Sequence, residues 1–354
     1  MDALQSRPAV ASRRNPGIDL LRILAAFYIV LLHVLGQGGL YGTTAEGSHQ
    51  QAVTGLMYVW TFCGVNIFGL ISGYVGYSGE DKPIAWRSLL RLWLEVVFYD
   101  VGLTLLTLWL RPDSASASDL VPMFFPLLNN SHWYFTAYAV LIPFLPLLNS
   151  AVRGCQEKTL LQFLAAVFLL LIPLTCFFGY LYLGYGYSLI WLLILYLTGA
   201  ILKKTGFGAN LSAAVLVCGI VLMNLRSWLL LHKWRGVTVF NAFIGPEVVR
   251  QYLFPCHYLS AVFHLLLFSR MKFPPRAGKW ICTLAPGAFA VYIINTQKNV
   301  WDGYLCDRFV SWAGCSALGI LARTVAVSVL FVAVSLAVDW LRRRLFRLLR
   351  ISRP

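Results

Sequence analysis

Gly17-Ile18-Asp19-Leu20-Leu21-Arg22-Ile23-Leu24-Ala25-Ala26-Phe27-Tyr28-Ile29-Val30-Leu31-Leu32-His33 opens the first of a series of apolar runs. A helix needs about 20 apolar residues to cross a bilayer, and this stretch with its continuation supplies them. It ends in Leu35-Gly36-Gln37-Gly38 with no small-x-small cleavage signature, so it reads as a retained helix rather than a signal peptide. Arg22 and His33 stand eleven residues apart. At 100° per residue that spacing puts both on one face, separated by about 16 Å along the axis. A charge inside a membrane helix costs about 2.5–3.5 kcal/mol on insertion scales, which makes such a residue a functional candidate. The plainer reading is that Arg22 snorkels to the interface and His33 packs against a neighbouring helix.

Composition agrees with the run. Of 354 residues, 59% are hydrophobic and 12% charged, against about a quarter charged in a soluble domain. The class is an all-α membrane protein. Ten spans fit, near 18–36, 55–77, 89–110, 132–150, 160–179, 187–202, 210–230, 251–269, 285–300 and 316–341. They predict a single bundle of about ten transmembrane helices with both termini cytoplasmic.

The net charge of +15 would suggest nucleic acid in a soluble chain. Here the basic residues sit in short loops, where they orient the spans. Of the 29 Lys and Arg, 20 fall in the segments such a bundle places inside: Arg7, Arg13, Arg14, Lys82, Arg87, Arg91, Arg153, Lys158, Lys203, Lys204, Arg270, Lys272, Arg276, Lys279 and six C-terminal arginines. Seven fall outside and two, Arg22 and Arg323, within spans. That is the positive-inside bias, and no nucleic-acid partner is expected. The C-terminal arginines from Arg342 would meet anionic headgroups. Outer loops near 36–54, 111–131 and 231–250 would meet any external partner. The eight cysteines form no CxxC pattern, so no metal site is expected. A Cys306–Cys315 disulfide is the one pairing left open outside the membrane.

Several side chains suit a transfer reaction across the bilayer. Arginine forks match phosphate oxygens, so Arg22 could hold a phosphate-rich group at the cytoplasmic side. A neutral histidine at the far end, His33, could take a proton from a hydroxyl. Asp19 can pair with Arg22 but is about 21 Å from His33 along the axis, so it cannot orient that ring. Glu46, Glu247, Asp302 and Asp307 are outer-side carboxylates available for that role. His132-Trp133-Tyr134 falls at an outer boundary, at the depth of His33; an aromatic belt would also explain the two rings. Arg91 and Glu95 are spaced to pair on one helix face. Ser72-Gly73 reads as a close helix contact rather than a nucleophile. His257 and His264 read as helix–helix hydrogen-bonding residues.

Four stretches together carry a family resemblance: Gly17–Ala26 with His33 beyond it; Asn66-Ile67-Phe68-Gly69-Leu70-Ile71-Ser72-Gly73-Tyr74; Arg87-Ser88-Leu89-Leu90-Arg91; and His132-Trp133-Tyr134-Phe135-Thr136-Ala137-Tyr138 running to Pro146-Leu147-Leu148-Asn149. In this order and spacing the chain resembles the acyltransferase-3 family. Ser188-Leu189-Ile190-Trp191 and Tyr196-Leu197-Thr198-Gly199-Ala200 are similar to its branch that acylates surface polysaccharides. The resemblance implies an acyltransferase-3-like transmembrane domain over 18–341, between the basic cytoplasmic tails that the arginines mark over 1–17 and 342–354. It implies acyl-CoA, with acetyl-CoA the default, as co-substrate and a carbohydrate hydroxyl as acceptor. His33 would be the essential histidine and Arg22 its partner; Arg91 and Arg87 would meet the coenzyme's phosphates. His132, Trp133 and Tyr134 would lie near the acceptor. Two departures stand out. Arg87 and Arg91 are four apart rather than in R-x-x-R, and Tyr292-Ile293-Ile294-Asn295 ends in asparagine where the family often has histidine.

The expected function is O-acyl transfer, with O-acetyl transfer the default by resemblance, in a multi-pass protein of a bacterial cytoplasmic membrane. Direct transfer and a route through an acyl-histidine both stay open. So do a transporter or flippase for a lipid-linked or acidic solute, which buried charges would permit, and a non-enzymatic membrane module of a cell-wall system.

Overall fold

The computed structural model describes residues 14–112, 117–232 and 246–349. The two terminal tails are therefore described only from residue 14 and to residue 349, and most of the expected 231–250 loop lies outside the described residues. Among these residues there is helix and no strand.

A helix occupies each of the ten predicted stretches: α1 (Pro16–Leu35), α2 (His49–Gly76), α3 (Trp86–Leu110), α4 (Trp133–Gly154), α5 (Glu157–Cys176), α6 (Leu189–Thr205), α7 (Ala213–His232), α8 (Pro255–Ser269), α9 (Pro275–Thr296) and α10 (Ala317–Leu348). Seven of these, all but α3, α6 and α8, are long and apolar enough to cross a membrane. α3 carries Arg87, Arg91, Glu95 and Asp100; α6 and α8 have only 17 and 15 residues.

Local chemistry explains the breaks. Asn15 caps α1, its Oδ1 accepting from the Gly17 and Ile18 amides at 2.8 and 3.3 Å, with Pro16 in the first turn. α4, α5 and α9 each change pitch at a proline, which removes one backbone donor: Pro143 sits in a 3₁₀ turn, Pro173 directly follows a π turn over Val167–Leu171, and Pro286 sits in a 3₁₀ turn over Ala285–Gly287. α9 starts ten residues before the expected 285. Its first segment, Pro275–Leu284, carries Arg276 and Lys279, which hid it from a search for apolar runs.

α1 and α2 are the enclosed pair. α1 packs on α2, α8, α9 and α10. α2 and α6 touch backbone to backbone: a Cβ on Gly73 would lie 1.8 Å from the Tyr196 carbonyl oxygen, and one on Gly199 2.0 Å from that of Leu70. The packing reading of Ser72-Gly73 therefore holds, with the Ser72 hydroxyl donating to the Phe68 carbonyl at 2.9 Å. At the rim, α10 leaves Leu318, Val329, Leu330 and Val334 exposed and α5 leaves Leu169 and Leu170. Such apolar outer faces suit hydrocarbon around the bundle.

Three sequence expectations change. α10 continues past 341 to Leu348, and Arg342 is buried rather than lying on a lipid-facing tail. Its guanidinium binds Glu95 at 3.1 Å and Asp339 at 2.7 Å, so Glu95 pairs across the bundle and not with Arg91. A buried carboxylate is best held by a cation that is itself desolvated, and Arg91 is exposed. Cys306 and Cys315 are both free thiols.

Candidate functional site

The C-terminal halves of α1, α3 and α9 and the start of α4 surround a cavity of about 600 Å³. His33, His132, Trp133 and Tyr134 all line it, so four of the sequence candidates meet. The expected outer loop covers it through Asp119, Pro122, Met123, Asn129 and Ser131; a second segment after α9 adds Lys298, Trp301 and Asp302.

His33 projects from the last turns of α1. Its Nδ1 meets the Asn295 side-chain oxygen of α9, and the Trp301 ring packs edge-on at 4.7 Å between centroids. An amide oxygen only accepts, so Nδ1 carries the proton and Nε2 keeps its lone pair. That arrangement leaves one basic nitrogen on a cavity-lining ring. None of Glu46, Glu247, Asp302 or Asp307 hydrogen-bonds His33; Asn295, flagged by its departure from the family pattern, does so instead. Amide and imidazole meet without a second buried charge, which would have had to be desolvated.

His132 faces the cavity differently. It is 1% exposed, with Nε2 donating to Asp100 Oδ1 at 2.9 Å and Nδ1 2.7 Å from the Thr296 hydroxyl. Asp100 lies in α3, also 1% exposed. One turn further along α3, Thr104 Oγ1 accepts from the Gln297 side chain at 3.1 Å. Consecutive residues Asn295, Thr296 and Gln297 at the end of α9 are thus tied to α1, α4 and α3 in turn.

Aromatic rings make the remaining walls. The Tyr134 amide donates to the Tyr292 hydroxyl at 3.2 Å, and Trp133 stacks against Tyr252 and packs at a tilt on Tyr187. Asn66 of α2 holds that wall in place: its Nδ2 donates to the Tyr252 carbonyl at 2.8 Å and its Oδ1 accepts from Trp191 Nε1 at 3.0 Å. Three residues of the quoted stretches, Asn66, Trp133 and Trp191, therefore converge on one wall.

The arginines sit elsewhere. Arg22 is near the other end of α1, bound to Asp19 at 3.0 Å as its spacing predicts, and lies within electrostatic reach of Tyr134 and Tyr138. The Ser72 hydroxyl faces both of those tyrosines. Tyr134 thus lines the cavity while lying within electrostatic reach of Arg22. Arg87 and Arg91 are exposed on the first turns of α3; neither lines the cavity or makes an ion pair among the described residues. His257 bonds the Val249 carbonyl at 2.8 Å, and His264 the Ser260 carbonyl at 2.7 Å with Tyr28 of α1 at 3.4 Å, so both serve packing as expected.

Sequence reasoning missed Asp100, Thr296, Lys298 and Trp301 but had named Asp302, which lines the cavity. Asp100 did leave a signal, a lone carboxylate inside an apolar run. Among the described residues no group of three or more His, Cys, Asp or Glu side chains is placed to hold a metal ion. The His33 ring thus faces a largely aromatic chamber that also carries the carboxylates of Asp100 and Asp302.

Comparison with curated proteins and with solved structures gave no match. A family model described as an acyltransferase domain matches residues 15–340, which takes in the cavity and all ten helices but the end of the last. On that match, and with seven helices able to span a bilayer around a histidine-lined chamber, this chain belongs to the acyltransferase-3 family and is a multi-pass membrane acyltransferase.

Proposed function

We propose that the protein moves an acyl group, acetyl by default, from cytoplasmic acyl-CoA to a hydroxyl of an extracytoplasmic or surface glycan, with His33 as general base. The carrying observation is the His33 ring: one nitrogen fixed by Asn295, the other unpaired, on the cavity shared with His132, Trp133 and Tyr134. The acceptor hydroxyl gives its proton to His33 Nε2 as its oxygen attacks the thioester carbon. The new C–O bond forms, the C–S bond breaks, and the thiolate leaves and is protonated. Positioned base catalysis contributes about 10²–10⁴-fold.

Donor binding from the cytoplasm is supported by charge. All ten helices would cross a bacterial cytoplasmic membrane, with both termini on the side that carries 20 of the 29 basic residues. Arg91 and Arg87, exposed and unpaired, would take the coenzyme's phosphates. Arg22 would guide the arm past Tyr138 and Tyr134 toward His33. An aromatic cavity with polar rims suits a sugar ring.

The test is mass spectrometry of surface polysaccharide from cells carrying the wild-type protein or His33→Ala at equal membrane levels. Loss of the acyl group in the variant is the expected result. Persistent acylation would overturn the assignment of His33. Inverted vesicles supplied with radiolabelled acetyl-CoA test the donor: label should reach glycan in the lumen, and Arg91→Ala should raise the KM for acetyl-CoA about tenfold.

A further inference from the structure

Asp100 holds an oxygen that the fold leaves unused. Its Oδ1 accepts from His132, but its Oδ2 is buried without a hydrogen-bond partner. Native proteins pair nearly all such atoms, so each exception calls for a reason. Thr104, one turn away, does not bond to it; its Oγ1 accepts from Gln297 and Asn299 instead. Among the described residues, Asp100 is the one cavity-lining residue with an unpaired buried polar side-chain atom.

Two hydrogen-bond acceptors therefore await a donor in this chamber, Nε2 of His33 and Oδ2 of Asp100. They belong to one locus: the side chains that fix the two histidines, Asn295 and Thr296, are consecutive in α9. A ligand with a single hydroxyl would leave one acceptor bare. A carboxylate or phosphate would bring further acceptors to a chamber lined by Asp100, Asp119 and Asp302 against the single ammonium of Lys298. A ring bearing two hydroxyls satisfies both, and Trp133 beside Tyr187 and Tyr252 offers an aromatic face to its C–H surface.

We propose that Asp100 is the acceptor-selecting residue: its Oδ2 receives a hydrogen bond from a second hydroxyl of the sugar unit whose reacting hydroxyl is presented to His33. The acceptor class is then a sugar unit with at least two free hydroxyls and no anionic substituent. This rests on the acyl-transfer reading above. Asp100 sets which hydroxyl reaches the base, and so the position acylated, while His132 holds Asp100 in place.

The experiment uses full-length protein in native membranes with acetyl-CoA as donor and the cells' own glycan as acceptor. The product of the wild type and of Asp100→Asn is mapped by NMR. The amide can still accept from His132 but turns the free position from acceptor into donor. The expected result is a KM for glycan raised tenfold or more, a smaller change in kcat, and acetyl groups spread over more than one hydroxyl. A purely structural Asp100 would lower protein level or kcat and leave the acetylated position alone. An unchanged KM with acetyl at one position in the variant overturns the proposal. So does a wild-type product whose acetylated unit bears a carboxylate or phosphate, or had only one free hydroxyl; this arm needs no variant to fold. His33→Ala run alongside separates the two readings. If it still acylates, the base assignment fails; if it is silent while Asp100→Asn behaves as wild type, only the selection role fails.

Discussion

The two cavity histidines make a controlled contrast. His33 rests on a neutral amide, uses one ring nitrogen, and keeps the other free. His132 rests on a carboxylate, uses both nitrogens, and is 1% exposed. Both are tied to the same end of α9, one residue apart. A base must be able to give up its contact with substrate and regain it; a ring bonded on both sides is held for position. On the reading proposed above, the same residue type, tied to one helix end from two different helices, serves chemistry in one case and architecture in the other.

That contrast can be broken by asking which property each substitution damages. His33→Ala should cost about 10²–10⁴-fold in kcat, with a thermal midpoint in detergent close to wild type, since no buried charge is stranded. If its midpoint collapses instead, His33 is architectural too. His132→Ala should do the reverse. It strands the Asp100 carboxylate in the interior, and removing one partner of a buried pair costs about 3–5 kcal/mol. Denaturation of the purified protein would show this as a large loss of stability, and an unchanged midpoint would sink the distinction. Asn295→Ala should sharpen it: without the amide, His33 loses the partner that sets its tautomer, and kcat should fall about 10–100-fold with stability little altered. Thr296→Val is the mildest. Losing one hydrogen bond to His132 should cost about 1 kcal/mol of stability and leave kcat near wild type.

How much of this was legible in the sequence depended on how far apart the partners lie. The Arg22–His33 stripe and the Asp19–Arg22 pair sit on one helix, where 3.6-residue periodicity fixes who faces whom. The ten helices followed from apolar run lengths, apart from the start of α9, whose Arg276 and Lys279 disguise an amphipathic segment. The Ser72-Gly73 contact was readable because small residues in membrane helices permit close approach. By contrast, Asp100 meets His132 across 32 positions and Arg342 meets Glu95 from the far end of the chain. No local period encodes such pairings, and a local rule pointed to the wrong one when it joined Arg91 to Glu95. Asn295 was intermediate: its difference from the family pattern marked it, and only the packing of α9 on α1 gave it a partner.

The triple tether at the end of α9 constrains how anything enters. Three consecutive side chains, the last of them on the extended residue that ends the helix, are each held by a different neighbour. Rotating or sliding that helix end would break all three contacts together, so it behaves as a locked bolt rather than a hinge. Passage to the chamber must then fall to segment 117–131 of its roof, because Asn299 donates to Thr104 Oγ1 at 3.1 Å and Trp301 packs on His33. There Lys298 and Asp119 approach only to 3.8 Å, both partly in solvent, an ion pair worth about 0–1 kcal/mol. The protein has a rigid floor that holds the reacting groups in register, and segment 117–131 forms its cover.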